Sequence, residues 1–319
     1  MMLSTRKLGD GPEITEIGLG TWAIGGPWRF GWGPQDSSES EKTIQQALDC
    51  GINWIDTAPA YGLGHAEEIL GRVLEGKRDK IIISTKCGIS WKSEKKISFD
   101  ISPQSIRNEC ENSLKRLKTD YIDIYQIHWP DSKTRVEESW QEMDRLKKDG
   151  KVKYIGVSNF DLKLLKRCEK IAHVTSLQPP YSMVKRGIET DIMPWCKKNN
   201  TGIIAYSPMQ AGLLTGKFSR DYLQTLAGGD WRKHDSFFKE PMFSRVMDFI
   251  EQIKPFCQKY KQSLAAFAVA WVLNHDGISA AIVGARNQIQ AGVLNAGSGW
   301  KISDSDMSAV NEIYDKILS

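Results

Sequence analysis

The sequence predicts an α/β fold, a (β/α)8 (TIM) barrel, from three observations. Short β-branched runs alternate with helical patterns through all 319 residues. The runs are continuously apolar, as strands buried on both faces of a parallel sheet must be. Polar side chains gather where the runs end, which is the layout of a barrel's working face. The candidate strands are 16–20, 53–56, 81–85, 122–127, 153–157, 174–178, 202–206 and 280–284. Eight strands with helices between them suit a closed barrel better than a doubly wound sheet. No linker or composition break divides the chain, so residues 1–319 are expected to form one domain.

Ahead of the first barrel strand, RKLGDGPEIT at 6–15 reads as a β-hairpin around Gly9-Asp10-Gly11-Pro12, placed to cover the barrel floor. Between the strands, Ser102 followed by Pro103 marks a helix start, and Ile106, Cys110, Leu114 and Leu117 then form one apolar stripe. Asp161 and Ser263 are further N-caps, the latter opening the apolar run LAAFAVAWVL. Gly51 and Gly150 fall where helices should stop. The long segment 209–241, between strands seven and eight, is rich in Gly and charge and reads as a mobile loop over the top face.

Composition excludes several classes. Hydrophobic residues make up 40% of the chain, enough for a large core, and the net charge of +4 is spread without a basic block that would suit nucleic acid or membrane. MMLSTRKLGD has no apolar stretch, and no window is long enough to span a bilayer. The six cysteines lie far apart with no CxxC pair and no His close enough for a local metal cluster. Reduced thiols in a cytoplasmic protein without a metal are therefore expected. Cys87 adjoins Lys86, but strand neighbours point to opposite faces, so a buried, inert thiol is expected there.

Four residues carry chemistry. Asp56 ends INWID, Lys86 ends IIISTK, His128 ends IDIYQIH, and Tyr61 stands in the loop APAYG. Carbonyl reduction by a nicotinamide needs a weak acid beside the carbonyl oxygen. A phenol serves if a cation lowers its pKa from about 10. Lys86 can be that cation, Asp56 can keep it charged, and His128 can hydrogen-bond the substrate oxygen. Two other motifs fail on context. Gly18-x-Gly20-x-x-Ala23 is followed by Gly25, Gly26 and Pro27, so no helix opens there, and Gly212 to Lys217 has its glycines too close for a phosphate loop.

The segments GLGTW (18–22), DTAPAYG (56–62), AEEILG (66–71), STK (84–86), SLKRLKTDYIDIYQIHWP (113–130), GKVKYIGVSNF (150–160), LQPPYS (177–182), YSPMQAGLLTGK (206–217) and IVGAR (282–286) resemble aldo-keto reductase signatures in that family's order. The resemblance spans nearly the whole chain and points most to the bacterial general-stress and inositol-locus branch, which is related to potassium-channel β-subunits. It implies an NADPH-dependent enzyme reducing aldehydes and ketones, with NADH as a possible substitute and Asp56, Tyr61, Lys86 and His128 as the catalytic tetrad. The channel β-subunits carry Asn where His128 stands, so the full tetrad favours an active enzyme over a cofactor-sensing interaction subunit. Oxidation of a sugar or cyclitol alcohol is a third reading. The partner is a small carbonyl compound, and the oligomeric state is left open.

By the same resemblance, Thr21 and Trp22 close the first strand at the cofactor, and Asp56 lies near its ribose. Ser158, Asn159 and Gln178 hold the carboxamide, and Tyr206 stacks on the nicotinamide. The backbone of Ser207, Pro208, Met209, Gln210, Ala211 and Gly212 follows the pyrophosphate. Lys217, Arg286 and Arg232 meet the 2′-phosphate, with Gly284 beside them, and Gln290 faces adenine. Val293 and Leu294 depart from the family pattern, which has an acidic residue and an Asn there. Trp22, Trp91 and Trp129 are expected to touch substrate, with Trp28 or Trp32 as further candidates for an apolar pocket.

Overall fold

Eight parallel strands close into a barrel in the computed structural model, which describes residues 3–28, 30–93, 96–226 and 230–319. In chain order the strands are β1 (Thr5–Lys7), β2 (Glu13–Thr15), β3 (Ile17–Gly20), β4 (Trp54–Asp56), β5 (Ile82–Cys87), β6 (Ile89–Ser93), β7 (Lys96–Phe99), β8 (Ile122–Ile127), β9 (Val152–Ser158), β10 (Ser176–Gln178), β11 (Gly202–Ala205) and β12 (Ile278–Gly284). The barrel runs β3-β4-β5-β8-β9-β10-β11-β12 and returns to β3. The eight strands expected from sequence are these eight, each within a few residues of its expected ends.

The hairpin β1–β2 pairs antiparallel, as expected, and lies under the barrel. Its Leu8 and Ile14 are fully buried against Trp54, Ile124, Ile204, Ala280 and Ile282, and Trp54 Nε1 donates to the Thr15 carbonyl at 2.8 Å. The floor is therefore sealed by side chains, and only the opposite end is open to ligands.

Helices coat the outside, most of them by burying one apolar face against the barrel. In Pro103–Leu117 the buried residues include Ile106, Cys110, Leu114 and Leu117, and Ser102 Oγ accepts from Ser105 N. Truncating Ile106 to Ala would cost about 2–5 kcal/mol. Asp161 caps Leu162–Glu169, and Ser263 caps Leu264–Leu273, a helix buried on every side. Gly51 and Gly150 follow the ends of Ser37–Asp49 and Val136–Lys148 with positive φ, where a side chain would be strained.

Two segments differ from expectation. Residues 89–99, where no element was expected, contain the antiparallel hairpin β6–β7 standing at the top of the barrel. The insertion 209–241 contains turns of 3-10 helix at Gln210–Thr215, Trp231–His234 and Ser236–Phe238 and a short helix at Arg220–Thr225. No helix among the described residues is long and apolar enough to cross a membrane.

Candidate active site

Asp56 is the last residue of β4, and Lys86 is the fifth of six residues in β5. Both point into the barrel, 2% and 0% exposed. Lys86 Nζ donates to Asp56 Oδ2 at 2.7 Å, to the Thr57 carbonyl at 2.8 Å and to Tyr61 Oη at 3.4 Å. These three contacts use every hydrogen of the ammonium. Burial pushes Lys86 down from the ordinary lysine value, and Asp56 works in the opposite sense.

Tyr61 is held by a close crossing of two loops. A Cβ on Gly25 would lie 2.8 Å from the Tyr61 carbonyl carbon, and one on Gly62 would lie 1.7 Å from the Gly25 carbonyl oxygen. Only glycines allow that approach, and it fixes where the phenol stands. The phenol is pushed well up from its ordinary value by burial, then by Asp56 and Tyr206. The sequence expects Lys86 to lower it; in the free protein burial and the Asp56 carboxylate outweigh the ammonium. Because Lys86 donates to Oη, the Tyr61 hydrogen is left to donate elsewhere.

His128 follows β8, and its amide donates to the Cys87 carbonyl at 2.8 Å, extending the ladder by one rung. Its ring stands edge-on to Tyr61, 5.9 Å between centroids. Burial, then Lys86, hold it well below the ordinary histidine value, so it is neutral at pH 7. Cys87 is buried, and burial pushes its thiol well up, which suits an inert group.

Tyr61, His128 and Asp56 open into a cavity of about 870 Å³. Its walls include Trp22, Trp28, Trp32, Trp129 and Trp231. Trp22 packs on Trp32 and Trp231 at 5.4 and 5.1 Å, and Trp28 lies 6.4 Å from Tyr61. Trp91 is not among the lining residues; the hairpin offers Ile89, Ile97 and Phe99 instead. Trp231 and Phe99 were not singled out from sequence. The signal for Trp231 was its place beside Arg232 in the inserted segment.

Ser158, Asn159, Gln178 and Tyr206 meet at one wall. Ser158 Oγ donates to the Gln178 carbonyl at 2.8 Å, Asn159 Nδ2 donates to Ser158 Oγ at 2.9 Å and to the His128 carbonyl at 3.0 Å, and Tyr206 Oη donates to Asn159 Oδ1 at 2.9 Å. Gln178 Nε2 donates to Asp56 Oδ1 at 2.9 Å. Next to them, Ser207, Gln210, Ala211 and Gly212 all have positive φ. Such a run gathers backbone N–H groups into a concavity suited to an anion. An amide-binding wall beside an anion-binding loop fits a dinucleotide. Ser207, Pro208, Met209, Ala211, Gly212 and Gly284 line the cavity. Thr21 and Gln210 do not: Thr21 Oγ1 bonds inward to the Asp56 carbonyl and Thr57, and Gln210 is buried against Ser182. Their parts in the strand turn and loop are backbone parts.

The expected phosphate cations differ in availability. The Lys217 ammonium has no partner among the described residues and lines the cavity. Arg232 is bound to both carboxylate oxygens of Asp230 at 2.6 and 3.0 Å and lies over Trp32. Arg286 donates to the carbonyls of Trp32 and Pro34 and to Gln35 Oε1. Gln290 Oε1 accepts from the Arg286 amide at 2.8 Å. Val293 and Leu294 line the same cavity and make that part apolar. Among the described residues no group of three or more His, Cys, Asp or Glu could hold a metal.

The Aldo/keto reductase family model matches residues 16–315. The chain is 40% identical over 312 residues to the Aldo-keto reductase YhdN of Bacillus subtilis, covering 97% of this chain and 92% of that protein. It is 34% identical over 319 residues to the NADH-specific methylglyoxal reductase of Escherichia coli, covering 95% and 96% of the two chains. The solved structure of the glycerol dehydrogenase AKR11B4 from Gluconobacter oxydans superimposes with a TM-score of 0.90 at 39% identity, covering 98% of this chain and 96% of that one. With a model matched over nearly its full length and relatives this similar, the chain belongs to the aldo/keto reductase family and is an oxidoreductase that uses NAD(P)H.

Proposed function

We propose that the protein reduces aldehydes and ketones to alcohols, with Tyr61 as proton donor and NADPH as the preferred cofactor. One observation carries this reading: Asp56, Lys86 and Tyr61 form a hydrogen-bonded chain in which Tyr61 Oη accepts from Lys86, so its own hydrogen is not used there, and Tyr61 lines an apolar cavity. The bound nicotinamide supplies the hydride. The residues of the chain do the rest. Tyr61 gives its proton to the forming alkoxide. Lys86 offsets the negative charge left on Oη, and Asp56 keeps Lys86 charged in a site that would otherwise strip its proton. His128, neutral, donates a hydrogen bond that orients the carbonyl oxygen. Ser158, Asn159 and Gln178 would hold the carboxamide, Tyr206 would offer its ring to the nicotinamide, and Lys217 is the first candidate for the 2′-phosphate.

The substrate class follows from the walls. Trp22, Trp28, Trp129 and Phe99 can cover an apolar or aromatic carbonyl compound. A small polyol would leave those rings uncovered. Even so, the similarity to a glycerol dehydrogenase makes alcohol oxidation the second reading.

The test is turnover of an aromatic aldehyde, methylglyoxal and glycerol, each with both cofactors and in both directions at neutral pH. Fastest turnover of the aromatic aldehyde with NADPH is expected. Tyr61→Phe should lower kcat about a thousandfold with NADPH binding retained. Turnover close to wild type in that variant would remove Tyr61 from the role of acid.

A further inference from the structure

Gln126 is buried inside the barrel and touches neither the cavity nor Tyr61. A side-chain amide in that place is costly unless its groups are paired. Its Oε1 accepts from Gln178 Nε2 at 3.0 Å, with Ser84 Oγ at 3.4 Å, and its Nε2 donates to Ser176 Oγ at 3.0 Å. The path to Ser176 crosses a strand. Gln126 on β8 pairs with Gly156 on β9, and Gly156 pairs with Ser176 on β10. A Cβ on Gly156 would lie 2.1 Å from Ser176 Oγ and 3.2 Å from Gln126 Cγ. The bare glycine is the opening through which Gln126 reaches over β9.

The consequence falls on Gln178. Its amide has two hydrogens: one goes to Asp56 Oδ1 at 2.9 Å and the other to Gln126 Oε1. Asp56 can only accept, so the nitrogen of Gln178 must face it, and the amide cannot be assigned the other way round. With both hydrogens committed inward, Gln178 Oε1 is the group left for the cavity that Gln178 lines, and no donor among the described residues reaches it. An acceptor in that place matches the N–H2 end of a carboxamide.

We propose that Gln126 is a positioning residue for cofactor recognition: by taking the second hydrogen of Gln178, it makes that side chain present an acceptor, and only an acceptor, to the nicotinamide carboxamide. The inference rests on the reading that the nicotinamide lies against Gln178. Without Gln126, the second hydrogen of Gln178 is left buried without its acceptor and Asp56 alone holds the amide, so Oε1 is no longer fixed where it receives the N–H2.

The experiment compares two ligands by quenching of tryptophan fluorescence: NADP+, and 2′-phospho-ADP-ribose, which lacks the nicotinamide. In Gln126→Met, which keeps the volume and removes the polar groups, the Kd for NADP+ should rise about tenfold, the worth of one hydrogen bond, while the Kd for 2′-phospho-ADP-ribose stays within twofold. Ser176→Ala, which unties the far end of Gln126 at less risk to folding, should shift the same ratio in the same direction by a few-fold. Equal weakening of both ligands in the two variants, or no change in either, overturns the proposal. Wild-type protein that binds 2′-phospho-ADP-ribose as tightly as NADP+ would instead remove the nicotinamide from the Gln178 wall, and the inference with it.

Discussion

Arg286 and Trp32 are joined across 254 positions of sequence: the guanidinium donates to the Trp32 carbonyl at 3.1 Å, and the Trp32 ring packs on Trp22 and Trp231. A cation read from sequence as a phosphate partner thus also braces the aromatic wall of the cavity. Arg286→Met should loosen that wall. The expected outcome is a several-fold rise in KM for an aromatic aldehyde together with a rise in KM for NADPH, and a red shift of tryptophan emission in the free protein. Steady-state kinetics and emission spectra check it; a change in the cofactor KM alone would limit Arg286 to phosphate binding.

Lys217 is the expected phosphate cation with no competing partner among the described residues. Lys217→Ala should raise KM for NADPH about tenfold and leave KM for NADH within twofold, since one charge-assisted contact to phosphate is at stake. Equal effects on the two cofactors would place the 2′-phosphate elsewhere.

Asp56 opposes the desolvation that draws protons off Lys86. In Asp56→Asn that opposition is gone and the folded pKa of Lys86 falls further. The basic limb of the kcat profile should move to lower pH, and kcat should drop at least a hundredfold. A profile with an unmoved basic limb would separate Lys86 from the titration that controls turnover.

Glu109 is raised from 4.5 to about 7, chiefly by burial. Both of its oxygens lie 3.1 Å from the Gly88 amide at the root of the β6–β7 hairpin. Between about pH 4.5 and pH 7 the folded chain keeps a proton that the unfolded chain has lost. The contribution of this group to stability is therefore full below pH 4.5 and is lost as pH rises through 7. Relative to wild type, Glu109→Gln should be flatter in Tm over that window, by an amount equivalent to about 3 kcal/mol. Thermal melts at pH 5, 6, 7 and 8 read the difference directly.

Trp129 is 41% exposed at the rim of the cavity. Trp129→Ala should raise KM for aromatic aldehydes and change kcat little, because the ring contributes binding that is equal in ground and transition states. Unchanged kinetics over several substrates would show that the substrate lies deeper.

Much of this was legible in the chain. The strands were readable because parallel strands buried on both faces must be continuously apolar, and runs such as IIIS and YIGV cannot be amphipathic helices. The caps at Ser102, Asp161 and Ser263 were readable because capping is a contact over three residues. Asp56, Tyr61, Lys86 and His128 stood out because each stands at or shortly after the end of an apolar run. The hairpin at 89–99 is not legible in sequence, since the run KSEKK at 92–96 has none of the Gly or Asn signals that mark tight turns. Trp91, expected from sequence to touch substrate, lies in that hairpin and is not among the residues lining the cavity. Nothing in local sequence tells which residues of a hairpin face a cavity built mainly by other strands.

The amino-acid order by itself determined the barrel, its floor hairpin and the kinds of side chain at its open end, because those follow from periodicity and from contacts within one element. Tertiary structure alone decided how these groups act on one another. It set the Tyr61 phenol above its ordinary pKa instead of below, engaged Arg232 and Arg286 with Asp230 and the 32–35 loop, and committed both hydrogens of Gln178. Each of these is a matter of distance and burial between segments tens to hundreds of residues apart, and desolvation and hydrogen-bond competition exist only once those segments have been brought together.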